Sequence, residues 1–118
     1  MATLLTMFTI GEDKLSSDLQ PITDSINNKF THLELDRKYN DLKDPNRFYY
    51  RSDHYNFAKH GVPIIFYFNG THADYHKPTD TVDKINFDLM AKRVKLVFYT
   101  AWAIANRDNM LKRDMPLK

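Results

Sequence analysis

His72 and His76 stand four residues apart in a segment that also carries Asp74, Tyr75 and Asp80. Imidazole nitrogens and carboxylate oxygens are the donors that hold a zinc ion. On a helix, this spacing would put both imidazoles on one face. Here Gly70-Thr71 leads into the pair and Pro78 follows it, which makes the segment a loop. The helical argument therefore fails, and paired loop histidines are more often plain surface residues. A small mononuclear metal binder built from His72, His76 and a nearby carboxylate, Asp74 or Asp53, stays open as one reading.

A second group lies upstream. Tyr49 and Tyr50 precede Ser52-Asp53-His54. A tyrosine hydroxyl can donate to a developing oxyanion, although aromatic packing is the commoner use. Asp53 at a helix start reads first as a cap, with His54 beside it on the surface; the functional alternative is a carboxylate that orients another group. Asp80-Thr81 after Pro78 looks like a turn. Asn69-Gly70-Thr71 satisfies the glycosylation sequon, a weak signal. With only Gly11, Gly61 and Gly70, a glycine-rich phosphate loop is excluded, and a serine nucleophile elbow is absent.

These side chains need elements to hold them. Arg51–Thr81 reads as a short helix, a glycine stop at His60-Gly61, an apolar strand over Val62–Phe68, and the polar loop. Val62–Phe68 is expected to be the central strand, with Pro63 tolerated at its start. Upstream, Leu4–Ile10 is a short apolar run that fits a strand buried on both faces, or an edge covered by a partner. Ser16 or Ser17 can cap a helix whose apolar face is Leu19, Ile22, Ile26 and Phe30. His32–Tyr39 alternates and suggests a half-exposed strand; Asn40–Asn46 is a loop. Ser52 or Asp53 can cap the next helix, with Tyr55, Phe57 and Ala58 turned inward. Asn86 is a plausible cap for a last helix running to about Arg107, with Asp88 in its first turn. Its expected buried stripe is Met90, Val94, Val97, Ala101 and Ile104, widened by Phe87, Phe98 and Trp102, while Lys92, Arg93 and Lys95 face water. Residues 108–118 read as a polar tail.

Composition narrows the function classes. A length of 118 residues allows one domain or part of one. The hydrophobic fraction of 42% supports a packed core, and a net charge of +2 without a basic aromatic stripe argues against nucleic acid. The absence of cysteine excludes disulfides and thiolate metal sites. No apolar run approaches a membrane span. The N-terminus shows no signal-peptide pattern, so localisation stays unknown even if the parent protein is exported.

Taken in order, Ser52-Asp53-His54, Phe57, Gly61-Val62-Pro63 and Tyr75-His76-Lys77-Pro78-Thr79-Asp80-Thr81 resemble the C-terminal half of the zinc aminopeptidases of metallopeptidase family 28. That group includes bacterial leucyl aminopeptidase and glutamate carboxypeptidase. The shared pattern is a Ser-Asp-His helix start, a Gly-hydrophobic-Pro strand and a His-x-x-x-Asp-Thr loop, and the likeness covers roughly Leu4 to Arg107. It implies a three-layer α/β/α fold, here only its C-terminal part with about three strands and three helices. It implies that His76 is the last protein ligand of a two-zinc site and that Tyr49 steadies the tetrahedral intermediate, with Tyr50 as a possible substitute. It makes Asp53 and His54 scaffold or supporting residues, and Asp80 a brace for the His76 loop.

The family also needs another His, a bridging Asp, a Glu-Glu pair and a further Asp upstream. Glu12, Asp13 and Asp18 follow the first strand and do not reproduce that pattern. The expectation is a single partial domain, residues 1–118, belonging to an exopeptidase that hydrolyses peptide bonds, inactive alone and not holding its zincs alone. Its partner would be the missing N-terminal half. The competing reading is a non-catalytic module that keeps the fold and self-associates through Leu4–Ile10.

Overall fold

The computed structural model describes residues 5–116. The chain first lays down β1, Thr6–Ile10, all five residues buried. Gly11, at φ +97°, turns the chain out of the strand. That left-handed conformation suits glycine, which has no Cβ to clash. A Cβ there would lie 2.5 Å from Ile64 Cδ1 and 2.9 Å from Tyr49 Cε2. Asn40 Oδ1 accepts from the Gly11 N–H at 2.7 Å and Asn40 Nδ2 donates to Asp13 at 2.7 Å, so a buried amide fixes the turn.

Helix α1 spans Leu19–Ile26 and continues as a wider turn over Asn27–Thr31. Neither Ser16 nor Ser17 caps it. The N-cap position is Asp18, with no side-chain cap bond. Ser16 Oγ accepts from the Asp18 N–H instead, and Ser17 bonds Asp114. Asn27 ends the helix as a hub: its side chain donates to the Leu33 carbonyl and accepts from Leu33 N–H and Thr31 Oγ1. The chain then enters β2, Glu34–Asp36, shorter than the expected His32–Tyr39 because His32 takes a left-handed conformation and Lys38 N–H bonds Asp36 in a turn. β2 runs parallel to β1, as a strand–helix–strand crossover allows.

Phe48–Tyr50 forms a tight helical turn, α2 spans His54–Ala58, and β3 is Phe66–Phe68. β3 pairs antiparallel with β1, giving a mixed sheet of order β2-β1-β3. Two expectations change here. Val62–Phe68 is not the central strand; β1 is, and β3 lies at the edge of the described sheet. Only three residues of the predicted seven pair, because β1 offers no partner beyond Ile10, opposite Phe66, where Gly11 turns away. β1 is likewise not an edge, since both of its sides are paired, so a second copy has no open ladder there. Leu4 lies outside the described residues and Leu5 is exposed.

The two sheet faces carry separate cores. Phe8, Ile10, Phe66 and Phe68 pack with Tyr39, Phe48, Tyr49 and Ala58 on one side. Met7, Leu33 and Leu96 pack with Ile26, Leu35 and Tyr67 on the other. This α/β arrangement, three mixed strands and three helices, is the expected architecture. Phe57 is the exception on α2: it is 59% exposed rather than turned inward. The helix is barely one turn long, and its inward side is taken by Ala58 and by Tyr55, which packs among Tyr49 and Tyr50.

The last helix, α3, spans Phe87–Ala105, and Asn86 caps it by accepting from the Leu89 N–H at 3.1 Å. Its buried face reverses the expected one. Leu96 and Thr100 are inside, and Arg93 donates to the Thr6 carbonyl at 3.2 Å rather than facing water. Met90, Val94, Val97, Phe98 and Trp102 are exposed, Trp102 at 62%. α3 is apolar around most of its circumference, so periodicity does not tell which arc meets the rest of the chain. The segment after α3 folds back: Lys112 N–H and Arg107 reach Asp18, Asp114 holds Ser17, and Met115 N–H bonds the Leu15 carbonyl. No helix of the described residues is long and apolar enough to cross a membrane.

Candidate functional site

Tyr49 and His54 are brought together by the turn between Phe48 and α2. The His54 Nε2–H donates to the Tyr49 carbonyl at 2.7 Å, because a carbonyl can only accept. The imidazole also stacks on Phe66 at 4.4 Å. Burial holds the His54 pKa below its ordinary value, against the opposing pull of that hydrogen bond. The ring thus ties α2, the preceding turn and β3 together in its neutral form. Asp53 is exposed and makes no side-chain cap bond.

Tyr49 is 1% exposed, and its hydroxyl has no hydrogen-bond partner among the described residues. Burial, then the neighbouring Tyr50 and Tyr55, push its pKa up to about 12. It remains a neutral phenol with an unused donor. Elsewhere in the buried interior, Glu12 accepts from Thr9 at 2.6 Å and from Arg37 at 2.7 Å, and Arg37 also holds Asp24 at 2.7 Å. No sequence spacing announced this network, since its members lie 25 and 13 residues apart.

The loop after β3 forms one wall of a groove of about 950 Å³. His72, Asp74, Tyr75 and Asp80 line it, together with Met90, Val94 and Val97 of α3 and Tyr67 and Phe68 of β3. Tyr49, Asp53, His54 and His76 are not among the lining residues. His76 itself is exposed, at φ +57°, with its ring stacked on Tyr75 at 4.0 Å. His72 Nδ1 accepts from the Asp74 N–H at 3.2 Å. The Asp74 carboxylate is held below the usual carboxylate range by a hydrogen bond from Thr79 and by Lys84, whose Nζ lies 3.0 Å away.

A zinc ion needs three or four protein ligands. Among the described residues no three His, Cys, Asp or Glu side chains gather closely enough to hold a metal. Asp74 is paired with Lys84, and among the described residues His76 stands without a companion ligand. The residues present do not by themselves fit a zinc site.

A search of curated proteins and one of solved structures found no match. The family model of Peptidase family M28 matches residues 5–101, from just before β1 into the last turns of α3. That span takes in the sheet, the His54 staple and the His76 loop, and the chain belongs to peptidase family M28.

Proposed function

We propose that this chain contributes one side of an aminopeptidase-type M28 active site, zinc-dependent like bacterial leucyl aminopeptidase, whose remaining ligands come from another segment. His76 is the one metal ligand supplied from here, and Tyr49 supplies a donor to the tetrahedral intermediate. Asp53 and His54 support the Tyr49 turn. The substrate is a peptide with a free N-terminus or a related amide.

The observation that carries this reading is the outer face of α3. Phe87, Met90, Val94, Val97, Phe98, Ala101 and Trp102 form an exposed arc without a charged residue. A helix with one apolar face buried and a second apolar face exposed is suited to being covered on both sides. The arc borders the groove beside β3, the edge strand. The occupant that fits a sheet edge and an apolar helix together is further apolar strand structure of the same peptidase fold.

Co-expression with an upstream M28 segment that carries the other His, the Glu-Glu pair and the two Asp tests this. The expected result is a stable complex that retains zinc and releases N-terminal amino acids from peptides, with His76→Ala losing both zinc and activity. A folded complex with neither zinc nor activity would overturn it. The same arc favours a second reading, the non-catalytic self-associating module, with α3 rather than β1 as the contact. Sedimentation of the chain alone distinguishes the two. A discrete dimer that the upstream segment does not displace supports self-association, and a monomer at micromolar concentration excludes it.

A further inference from the structure

Tyr49 is tied at its backbone by the His54 hydrogen bond to its carbonyl, but its ring carries no polar tether: the hydroxyl has no partner among the described residues. The place of that hydroxyl is therefore set by the walls around the ring. Tyr50 and Tyr55 meet it edge-on, with ring centroids 5.3 Å and 6.0 Å away. A further wall, beside the hydroxyl end, is Gly11. A Cβ placed there would lie 2.9 Å from Cε2, the carbon next to the one that bears the hydroxyl, and 3.3 Å from Cδ2. The bare glycine backbone rests against this edge of the phenol.

What holds Gly11 in that place is Asn40. It is 7% exposed, and both ends of its carboxamide are engaged. Oδ1 accepts the Gly11 N–H at 2.7 Å, in the interior, and Nδ2 donates to Asp13 Oδ1 at 2.7 Å. The two bonds grip the turn on either side of Glu12, from a residue 29 positions away from Gly11. Asn40 is itself anchored. Its N–H donates to the Arg37 carbonyl at 2.9 Å, and the preceding Tyr39 packs its ring on Phe8 at 5.0 Å and on Phe48 at 4.9 Å. Phe48 directly precedes Tyr49, so Tyr39 and Asn40 reach the Tyr49 turn by two routes, one aromatic and one through Gly11.

We propose that Asn40 is a positioning residue for the Tyr49 hydroxyl, acting through the Gly11 turn. A buried amide whose donor and acceptor are both satisfied specifies one arrangement, because a shift of either partner leaves a polar group unpaired in the interior. Without the Asn40 side chain, the Gly11 N–H loses its acceptor, the turn is free to move, and the phenol loses a wall. The consequence for catalysis rests on Tyr49 serving the tetrahedral intermediate, as proposed above; the seating of the ring does not.

Proton NMR of the full chain tests the seating without metal or substrate. Cross-relaxation between the Gly11 α-protons and a Tyr49 ring proton, the latter identified by its absence in Tyr49→Phe, is expected in the unmodified protein and lost in Asn40→Ala. Contacts between Leu96 and Met7 in the other core should persist, which separates a lost seat from a loosened fold. The double variant Asn40→Asp with Asp13→Asn exchanges donor and acceptor: the carboxylate accepts from the Gly11 N–H and from the new amide, and the cross-peak should return. A cross-peak that survives in Asn40→Ala, or that the exchange fails to restore, overturns the proposal. If Asn40→Ala does not fold, Asn40→Asp alone takes its place, since it sets two carboxylates together. A cross-peak weakened there and restored by the exchange supports the role, and one at full strength refutes it. In the assembled complex, Asn40→Ala should lower kcat by up to about 100-fold, the size of effect a small misplacement produces, with KM unchanged. It should add nothing to the loss in Tyr49→Phe; an equal loss in both backgrounds overturns the proposal. An inactive complex of the unmodified chain refutes the peptidase reading alone, because the cross-peak outcomes stand without it.

Discussion

Tyr49 combines two properties that rarely coincide in a residue used only for packing. It is buried, and its hydroxyl has no partner among the described residues. Leaving a buried donor unsatisfied costs about 1–3 kcal/mol. Tyr49→Phe is therefore expected to leave the urea midpoint unchanged or to raise stability by about 1 kcal/mol. In an assembled peptidase the same change should lower kcat about 100-fold, the typical loss of one oxyanion donor. A stability loss without a kcat effect would mark the hydroxyl as structural. His54 gives a pH prediction. Its pKa is lowered in the folded chain, so between that value and its unfolded value of about 6.5 the unfolded chain binds more protons. The contribution is full above the unfolded value and is lost as pH falls through that window. His54→Phe keeps the stack on Phe66 and removes the titration. The slope of midpoint against pH just below 6.5 should flatten accordingly, and an unchanged slope would assign the dependence to other groups.

At the scale of elements, the turn after β1 and the buried side of α3 hold the fold. Gly11→Ala would force a Cβ into Ile64 and Tyr49 at a positive φ. The expected cost is about 2–3 kcal/mol, from strain and overpacking together. Chemical denaturation checks this, and the near-ultraviolet signal of the tyrosines should change with it. On α3, Leu96 is fully buried against Met7 and Leu33. Leu96→Ala is expected to cost about 2–5 kcal/mol through the lost transfer term and the cavity left behind. Val94→Lys, on the exposed arc of the same helix, should change stability by no more than about 0.5 kcal/mol. The contrast between these two substitutions tests the orientation of the helix, since the apolar periodicity alone would have ranked them the other way.

At the scale of the whole molecule, the chain is closed at one end and open at the other. The segment after α3 returns to the start of α1 through Asp18, Ser17 and Leu15, so that side is self-contained. The open side is the outer arc of α3 and the groove next to β3, where apolar surface and the groove-lining residues of the His76 loop lie together. A single covering structure would both bury the arc and stand over that groove. Val94→Lys combined with Val97→Lys is thus expected to leave the isolated chain folded, by circular dichroism, while preventing the co-expressed upstream segment from co-purifying. Retention of that segment by the double variant would move the interface elsewhere.

Much of this molecule follows from local chemistry. The β1 run is apolar on both faces because it is the middle strand. Asn86 caps α3 because its side-chain oxygen sits where it accepts the otherwise unpaired Leu89 N–H of the first turn. The Ser-Asp-His and His-x-x-x-Asp-Thr pattern carried the family, which the family match supports. Other features depend on residues far apart in the chain. The sequence could not choose which arc of α3 turns inward, because nearly all arcs are apolar and the choice falls to what Leu96 and Thr100 meet. It could not show that Asp74 rather than Asp80 pairs with Lys84, because that depends on how the loop folds back onto the Val82–Lys84 turn. Nor could it reveal that Glu12, Arg37 and Asp24 form one network, since burial and pairing of charges are properties of the packed chain. The residue types that could do chemistry were readable in the sequence, and the tertiary structure decided which of them are engaged, which are left with an unused donor, and which face solvent.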